Sequence, residues 1–298
     1  MLFAPIKVSG LPDRASPGAS CIAAEGAADK GEAMFATYGG ATRIYPIIGD
    51  PIAQAKSPGG LTRAFREAGH DAIVVPLQVK PAHIAAFLRM LDDVGNVDGI
   101  IATVPHKFAA FTHAASASDR ARLVGSANIL RRRAEGGWHA DMIDGLSLVQ
   151  AMQRAGGIIA GRRALLVGAG GAGRAIGLEL LNAGAISLAI HDTDAARRDG
   201  LVVLLNAAHP GRVTAGSGDP SGADIVVNAT PSGMRAGDAP PVDFDKLAPH
   251  MFVGDVITAP EMTPLLRTAH ERGCDIQTGV AMFEASVGLM FDFFTAAA

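Results

Sequence analysis

The sequence predicts an α/β fold in two domains, and three observations carry that expectation. The chain of 298 residues is longer than a single hydrophobic core usually serves. From residue 43 onward, β-rich runs alternate with helical stretches, the pattern of strands joined by crossover helices in a mostly parallel sheet. The alternation restarts after Gly161, where an apolar run leads into the glycine-rich segment 168–173.

Residues 1–40 are rich in Gly, Ala, Ser and Pro, keep no period of 2 or 3.6, and read as a flexible leader outside the fold. With neither a basic start nor an apolar stretch they do not read as a signal peptide, and Met34 is a candidate start of translation. The first series then runs strand 44–48, helix 60–68, strand 72–77 and helix 81–91. Gly69 behind the first helix and Pro81 in the first turn of the next follow the usual stop and start asymmetry. The next β-run, 99–104, ends in Pro105-His106-Lys107. A lysine thus stands at a strand's carboxyl end, where open α/β sheets hold ligands.

The second series runs strand 164–167, helix 174–183 closed by Gly184, strand 187–190 ending in His191-Asp192, strand 225–228 ending in Ala229-Thr230-Pro231, and strand 251–256. The last helix, 282–294, carries Met and Phe at helical spacing, which reads as core packing.

Composition narrows the function. Apolar stretches such as 224–229 and 279–294 are interrupted by polar residues well before the ~20 residues that span a bilayer, so no membrane helix is expected. A net charge of -3 without a basic stripe, and few aromatics, argue against nucleic acid as a partner. The two cysteines, Cys21 and Cys274, form no CxxC or Cys/His cluster, so neither a disulfide framework nor a zinc site is expected, and a reduced, cytoplasmic setting fits.

A GxGxxG match alone is weak in a chain with 36 glycines. Here Gly168, Gly170 and Gly173 follow a strand, open a helix and precede Asp192 by a further 19 residues, which completes the dinucleotide fingerprint of a Rossmann-type, doubly wound domain. Gly168 serves the tight turn, Gly170 the approach of backbone to pyrophosphate, and Gly173 the packing of helix on strand. The helix amino terminus offers N–H groups and partial positive charge to the pyrophosphate. The fingerprint puts Gly168, Gly170, Gly171, Ala172, Gly173 and Asp192 at the cofactor. A carboxylate at Asp192 accepts hydrogen bonds from ribose hydroxyls and repels a 2′-phosphate, favouring NAD over NADP; the alternative is that Asp192 caps a turn.

Gly49-Asp50-Pro51-Ile52 with Lys56-Ser57-Pro58, Thr103-Val104-Pro105-His106-Lys107, Gly125-Ser126-Ala127-Asn128, Asp141-Met142-Ile143-Asp144-Gly145, the glycine segment 168–174 and Asn228-Ala229-Thr230 occur in one order that resembles the shikimate/quinate dehydrogenase family from Tyr45 to the C-terminus. The resemblance implies a mixed/parallel substrate domain over 41–147, an NAD-binding domain over 148–278, and a C-terminal helix, 279–298, packing back on the first. It makes Lys107 and Asp144 the catalytic pair, with Ser57 a ligand for a substrate carboxylate and Thr103 and Asn128 ligands for ring hydroxyls, and it adds Asn228 and Thr230 to the cofactor set. The chemistry agrees, because alcohol oxidation needs a group to accept the hydroxyl proton while the hydride leaves to nicotinamide. Lys107 and Asp144 are treated as one titrating unit, and a structural ion pair at a strand end is the alternative. His106 receives no proton-transfer role, and Trp138 and His139 read as packing and surface residues.

The chain also departs from the family. Ala55, Ile101, Met142, Ile143, Thr258 and Ser286 stand where the family places Ser, Asn, Asn, Thr, Tyr and Gln, and Asp192 replaces the arginine that meets phosphate in NADP-using members. Ser286 is retained as a candidate substrate ligand. The implied protein is an NAD-dependent oxidoreductase, monomeric or homodimeric, acting on a ring hydroxyl of a small cyclic hydroxy acid. A genuine shikimate or quinate dehydrogenase and a non-catalytic nucleotide sensor are the alternatives.

Overall fold

The computed structural model describes residues 38–296; the leader up to residue 37, with Met34 and Cys21, lies outside the described residues. Two six-stranded sheets organise the chain. In the first, β1 (Arg43–Gly49) lies between β2 (Ala72–Gln78) and β3 (Gly99–Ala102), all parallel. Beyond β3 the direction reverses: β4 (Ser116–Ala117) closes the edge, and β5 (Ile129–Arg132) and β6 (Trp138–Asp141) form an antiparallel hairpin between it and β3, giving the order β2-β1-β3-β5-β6-β4.

This sheet is therefore mixed, and the hairpin is absent from the strand pattern read in the sequence. The run Arg131-Arg132-Arg133 disguises β5 as a solvated segment. Arg132 instead lies 4.4 Å over the Trp138 ring and donates to the carbonyls of Leu91, Asp92, Val94 and Val97, so its charge is satisfied along the sheet end. Trp138 is buried and donates its indole N–H to Asp92 at 2.7 Å. His139 stacks on Phe293.

In the second sheet β7 (Arg163–Val167), β8 (Ser187–His191), β9 (Val213–Ala215), β10 (Ile225–Asn228), β11 (Phe252–Asp255) and β12 (Asp275–Gln277) are all parallel, in the order β12-β11-β10-β7-β8-β9. This is the doubly wound arrangement, and its strand order reverses between β7 and β10, where such sheets open a ligand crevice.

The described helices are α1 (Ser57–Glu67), α2 (Ile84–Asp92), α3 (Lys107–His113), α4 (Asp119–Val124), α5 (Asp144–Arg154), α6 (Gly171–Asn182), α7 (Ala195–Ala208), α8 (Pro264–Glu271) and α9 (Gly279–Thr295). The β-run expected to reach residue 104 stops at Ala102, because Pro105 has no N–H for a ladder and His106 N–H turns back to the Thr103 carbonyl at 2.8 Å. Helix α9 lays its aromatic residues on the first sheet, with Phe294 4.9 Å from the Tyr45 ring and Phe291 5.8 Å from Phe65. No helix among the described residues is long and apolar enough to cross a membrane.

Candidate active site

Lys107 and Asp144 each open a helix, α3 and α5. A cation at a helix amino terminus is opposed by the helix dipole and an anion there is favoured. Pairing offsets the first effect: the Lys107 ammonium donates to Asp144 Oδ2, with the two side chains only 11% and 14% exposed. Asp144 Oδ1 accepts from Asn128 Nδ2 at 2.7 Å. The structure thus brings Lys107, Asp144 and Asn128 together at the end of β3 and β5. His106 is buried and its Nε2 donates to the Val79 carbonyl at 2.6 Å, a structural hydrogen bond.

The segment leading into Asp144 is held by residues that the sequence did not single out. Asp141 accepts from Arg120 Nε at 2.8 Å and Nη2 at 2.5 Å, from the Met142 N–H at 2.7 Å, and from the Ser118 hydroxyl. Behind Asp144, Gly145 lets α5 approach α6 so closely that an added Cβ would overlap the Ala175 carbonyl. The Asp-Gly pair therefore holds the ion pair with Lys107 at its first residue and allows interhelical packing at its second.

Among the other substrate candidates, Ser57 is buried at the start of α1 and Thr103 is half-buried after β3, and neither hydroxyl has a hydrogen-bond partner among the described residues. The Ser286 hydroxyl, within α9, donates to the Phe283 carbonyl at 2.6 Å. Ile101 and Ile143 belong to an apolar cluster with Tyr45, Phe65 and Met290, and Met142 is buried. Lys56 Nζ donates to the Thr258 carbonyl at 3.2 Å, joining the segment after β1 to the one after β11.

The glycine loop follows β7 at the switch point. Gly168 has φ +102, a left-handed conformation that L side chains rarely adopt, and a Cβ there would come within 2.8 Å of Thr230 Cγ2. A Cβ on Gly173 would overlap the Gly168 carbonyl oxygen, whereas nothing lies within 4 Å of one on Gly170. The cradle thus fits a pyrophosphate at the amino terminus of α6, which begins at Gly171 and continues through Ala172.

Asp192 directly follows β8, with its side chain 6% exposed. Its Oδ2 accepts from the Ala169 N–H at 2.8 Å, its Oδ1 from the Asp194 N–H at 2.9 Å, and Arg197 Nη1 stands 3.8 Å from Oδ2. Asp192 therefore caps its own turn and ties that turn to the glycine loop. It also lines, with His191, Thr193, Thr230, Met234 and Arg235, a cleft of about 480 Å³.

Asn228 is fully buried. It accepts from the Thr230 N–H at 3.1 Å and hydroxyl at 2.6 Å, and donates to the Ser232 carbonyl and to Asp255. Its side chain shapes the loop that carries Thr230 to the cleft. Burial pushes the Asp255 carboxyl up to about 6, against the hydrogen bonds it accepts from the Ile257 N–H and the Thr263 hydroxyl.

The comparisons with known proteins bear on this arrangement. Residues 47–130 match the family described as shikimate dehydrogenase substrate binding domain. The shikimate dehydrogenase (NADP(+)) of Paracoccus denitrificans (strain Pd 1222) is 36% identical over 248 residues, covering 79% of this chain and 84% of the relative. Among solved structures, the ligand-free 5-ketofructose reductase of Gluconobacter sp. strain CHM43 is 27% identical with a TM-score of 0.76, covering 87% of this chain and 95% of that one. The quinate dehydrogenase from Corynebacterium glutamicum in complex with NAD is 25% identical with a TM-score of 0.78, covering 86% and 94%. The chain belongs to the shikimate dehydrogenase family, as an α/β dehydrogenase that acts on a CH–OH group with a nucleotide cofactor.

Proposed function

We propose that the protein interconverts a ring hydroxyl and the corresponding ketone of a small cyclic hydroxy acid, with NAD as its cofactor. The observation that carries this reading is the buried Lys107–Asp144 pair beside the nucleotide loop: a Cβ on Gly171 would stand 3.4 Å from Lys107 Cδ. A proton-transferring group and a nucleotide cradle are thus within one side chain's reach.

When bound, the nucleotide supplies the two-electron acceptor for the C–H bond being broken. Lys107 takes the hydroxyl proton in oxidation as the neutral amine, and as the ammonium returns it to the carbonyl oxygen in reduction. Asp144 orients the amine and balances its charged form. Ser57 receives the substrate carboxylate, and Thr103 and Asn128 face ring hydroxyls. Ser286 spends its proton on the Phe283 carbonyl, so it offers a substrate only lone pairs. The division at about residue 147 separates the substrate half from the nucleotide half, with α9 returning to the first.

The NAD preference rests on Asp192, which presents a carboxylate to the cleft where the adenosine ribose belongs. A second reading, genuine shikimate or quinate dehydrogenase activity, is favoured by the presence of Ser57, Thr103 and Asn128. The buried apolar side chains of Ile101, Met142 and Ile143 favour a substrate with fewer polar groups on that side. The test is NADH formation from a panel of cyclic hydroxy acids, shikimate and quinate included. Turnover of a panel member with NAD supports the reading, and tight NAD binding with no turnover on any member favours a nucleotide sensor.

A further inference from the structure

The Asp144 carboxylate has two oxygens and two side-chain partners. Oδ2 meets Lys107, and Oδ1 accepts from Asn128 Nδ2 at 2.7 Å. Asn128 is fixed in turn, since its Oδ1 accepts from the Ile143 N–H at 3.0 Å and its own backbone N–H donates to the Asp141 carbonyl at 3.0 Å. A reversed side-chain amide would set N–H against N–H at Ile143 and oxygen against oxygen at Asp144, so this network allows one orientation. Asn128 is 8% exposed, between the buried Ile129 and Ile143, which leaves little room for water to take over its hydrogen bonds.

We propose that Asn128 is a positioning residue: its side-chain amide locks the Asp144 carboxylate so that one oxygen faces the Lys107 amine before any substrate arrives. This rests on the catalytic reading of the pair, and it gives Asn128 a task beyond contact with substrate. Without that N–H the carboxylate is free to rotate, and the ammonium loses its fixed acceptor.

The experiment reads Lys107 directly in the substrate-free protein, which has only six lysines. In a proton–nitrogen spectrum of lysine-labelled protein, the Lys107 ammonium, assigned by its loss in Lys107→Arg, should be visible because the ion pair protects it from exchange. Asn128→Leu keeps much of the volume but has no N–H to donate, and it should abolish the signal, as should Asp144→Asn. Asn128→Ser, too short to reach Asp144, is the second variant if Asn128→Leu does not fold. On the hydroxy acid turned over in the assay above, either variant should lower kcat roughly 10- to 100-fold, the loss of one hydrogen bond to a charged group, in addition to any rise in KM from the lost contact with a ring hydroxyl. A wild-type Lys107 signal that survives unchanged in a folded Asn128 variant overturns the proposal, as does its absence from the wild type. Failure of the catalytic reading shows separately, as undiminished turnover in Lys107→Ala.

Discussion

Lys107 Cδ stands 3.4 Å from the place a Cβ on Gly171 would take, so the residue that opens α3 is one side-chain atom from the residue that opens α6. Gly171 has no positive φ, and its backbone therefore admits a side chain. Alanine there should be tolerated, with its Cβ at ordinary contact from Lys107 Cδ. Gly171→Leu should displace the amine, lowering kcat by about 10²-fold, the cost of a misplacement on the order of 1 Å. Steady-state kinetics with a thermal melt check this, and the melt should move far less than the rate.

NAD should be used much better than NADP, because the Asp192 carboxylate would face the 2′-phosphate. Asp192 also anchors the glycine loop through the Ala169 N–H, so Asp192→Ala should narrow the preference and weaken both cofactors. Equal kcat/KM with the two cofactors in the unmodified protein would contradict the assignment.

Asp255 makes stability pH-dependent. Its folded-state pKa, about 6, lies above the ordinary aspartate value of 3.8, so the folded chain holds this proton more tightly than the unfolded one. The resulting stabilisation is full below about pH 4 and is lost as pH rises through about 6. At 1.36 kcal/mol per unit the loss is on the order of 3 kcal/mol. Denaturant unfolding of the wild type and Asp255→Asn at several pH values should show their difference changing over that window. A difference independent of pH would refute it.

Shikimate should be a poor substrate. Ala55 and Ile101 offer no hydrogen bond where the family has Ser and Asn, and Ser286 is occupied by its own helix. Each missing partner costs ~1–3 kcal/mol, and three amount to about 3–9 kcal/mol, or roughly 10²–10⁶ in kcat/KM if additive. Ala55→Ser, Ile101→Asn and Ser286→Gln together should raise shikimate turnover. A wild-type kcat/KM of ~10⁴ M⁻¹s⁻¹ or more would overturn this view of the pocket.

The glycine loop and the strand-end lysine were legible because each is a local demand: a positive φ, a close approach, a charge at a strand terminus. The β5–β6 hairpin was not, since Arg131 to Arg133 look like solvent-facing charge until Trp138 and the carbonyls around residues 91–97 are folded against them. Asp192 read as a ribose ligand with a turn cap as the alternative, and its geometry performs the second while leaving it at the cleft. The Asn228–Asp255 and Arg120–Asp141 contacts join residues 27 and 21 apart, and only the topology brings them together.

Lys107 and Asp144 are proposed to move the proton in a nucleotide-dependent CH–OH oxidation. The most direct measurement is single-turnover NADH formation by wild type, Lys107→Ala, Asp144→Ala and the double variant on the best substrate from the panel. Lys107→Ala should lose roughly 10²–10⁴ in rate and Asp144→Ala a similar factor, with the double variant far less impaired than the product of the two. Wild-type rates in Lys107→Ala, with the nucleotide still bound, would contradict it.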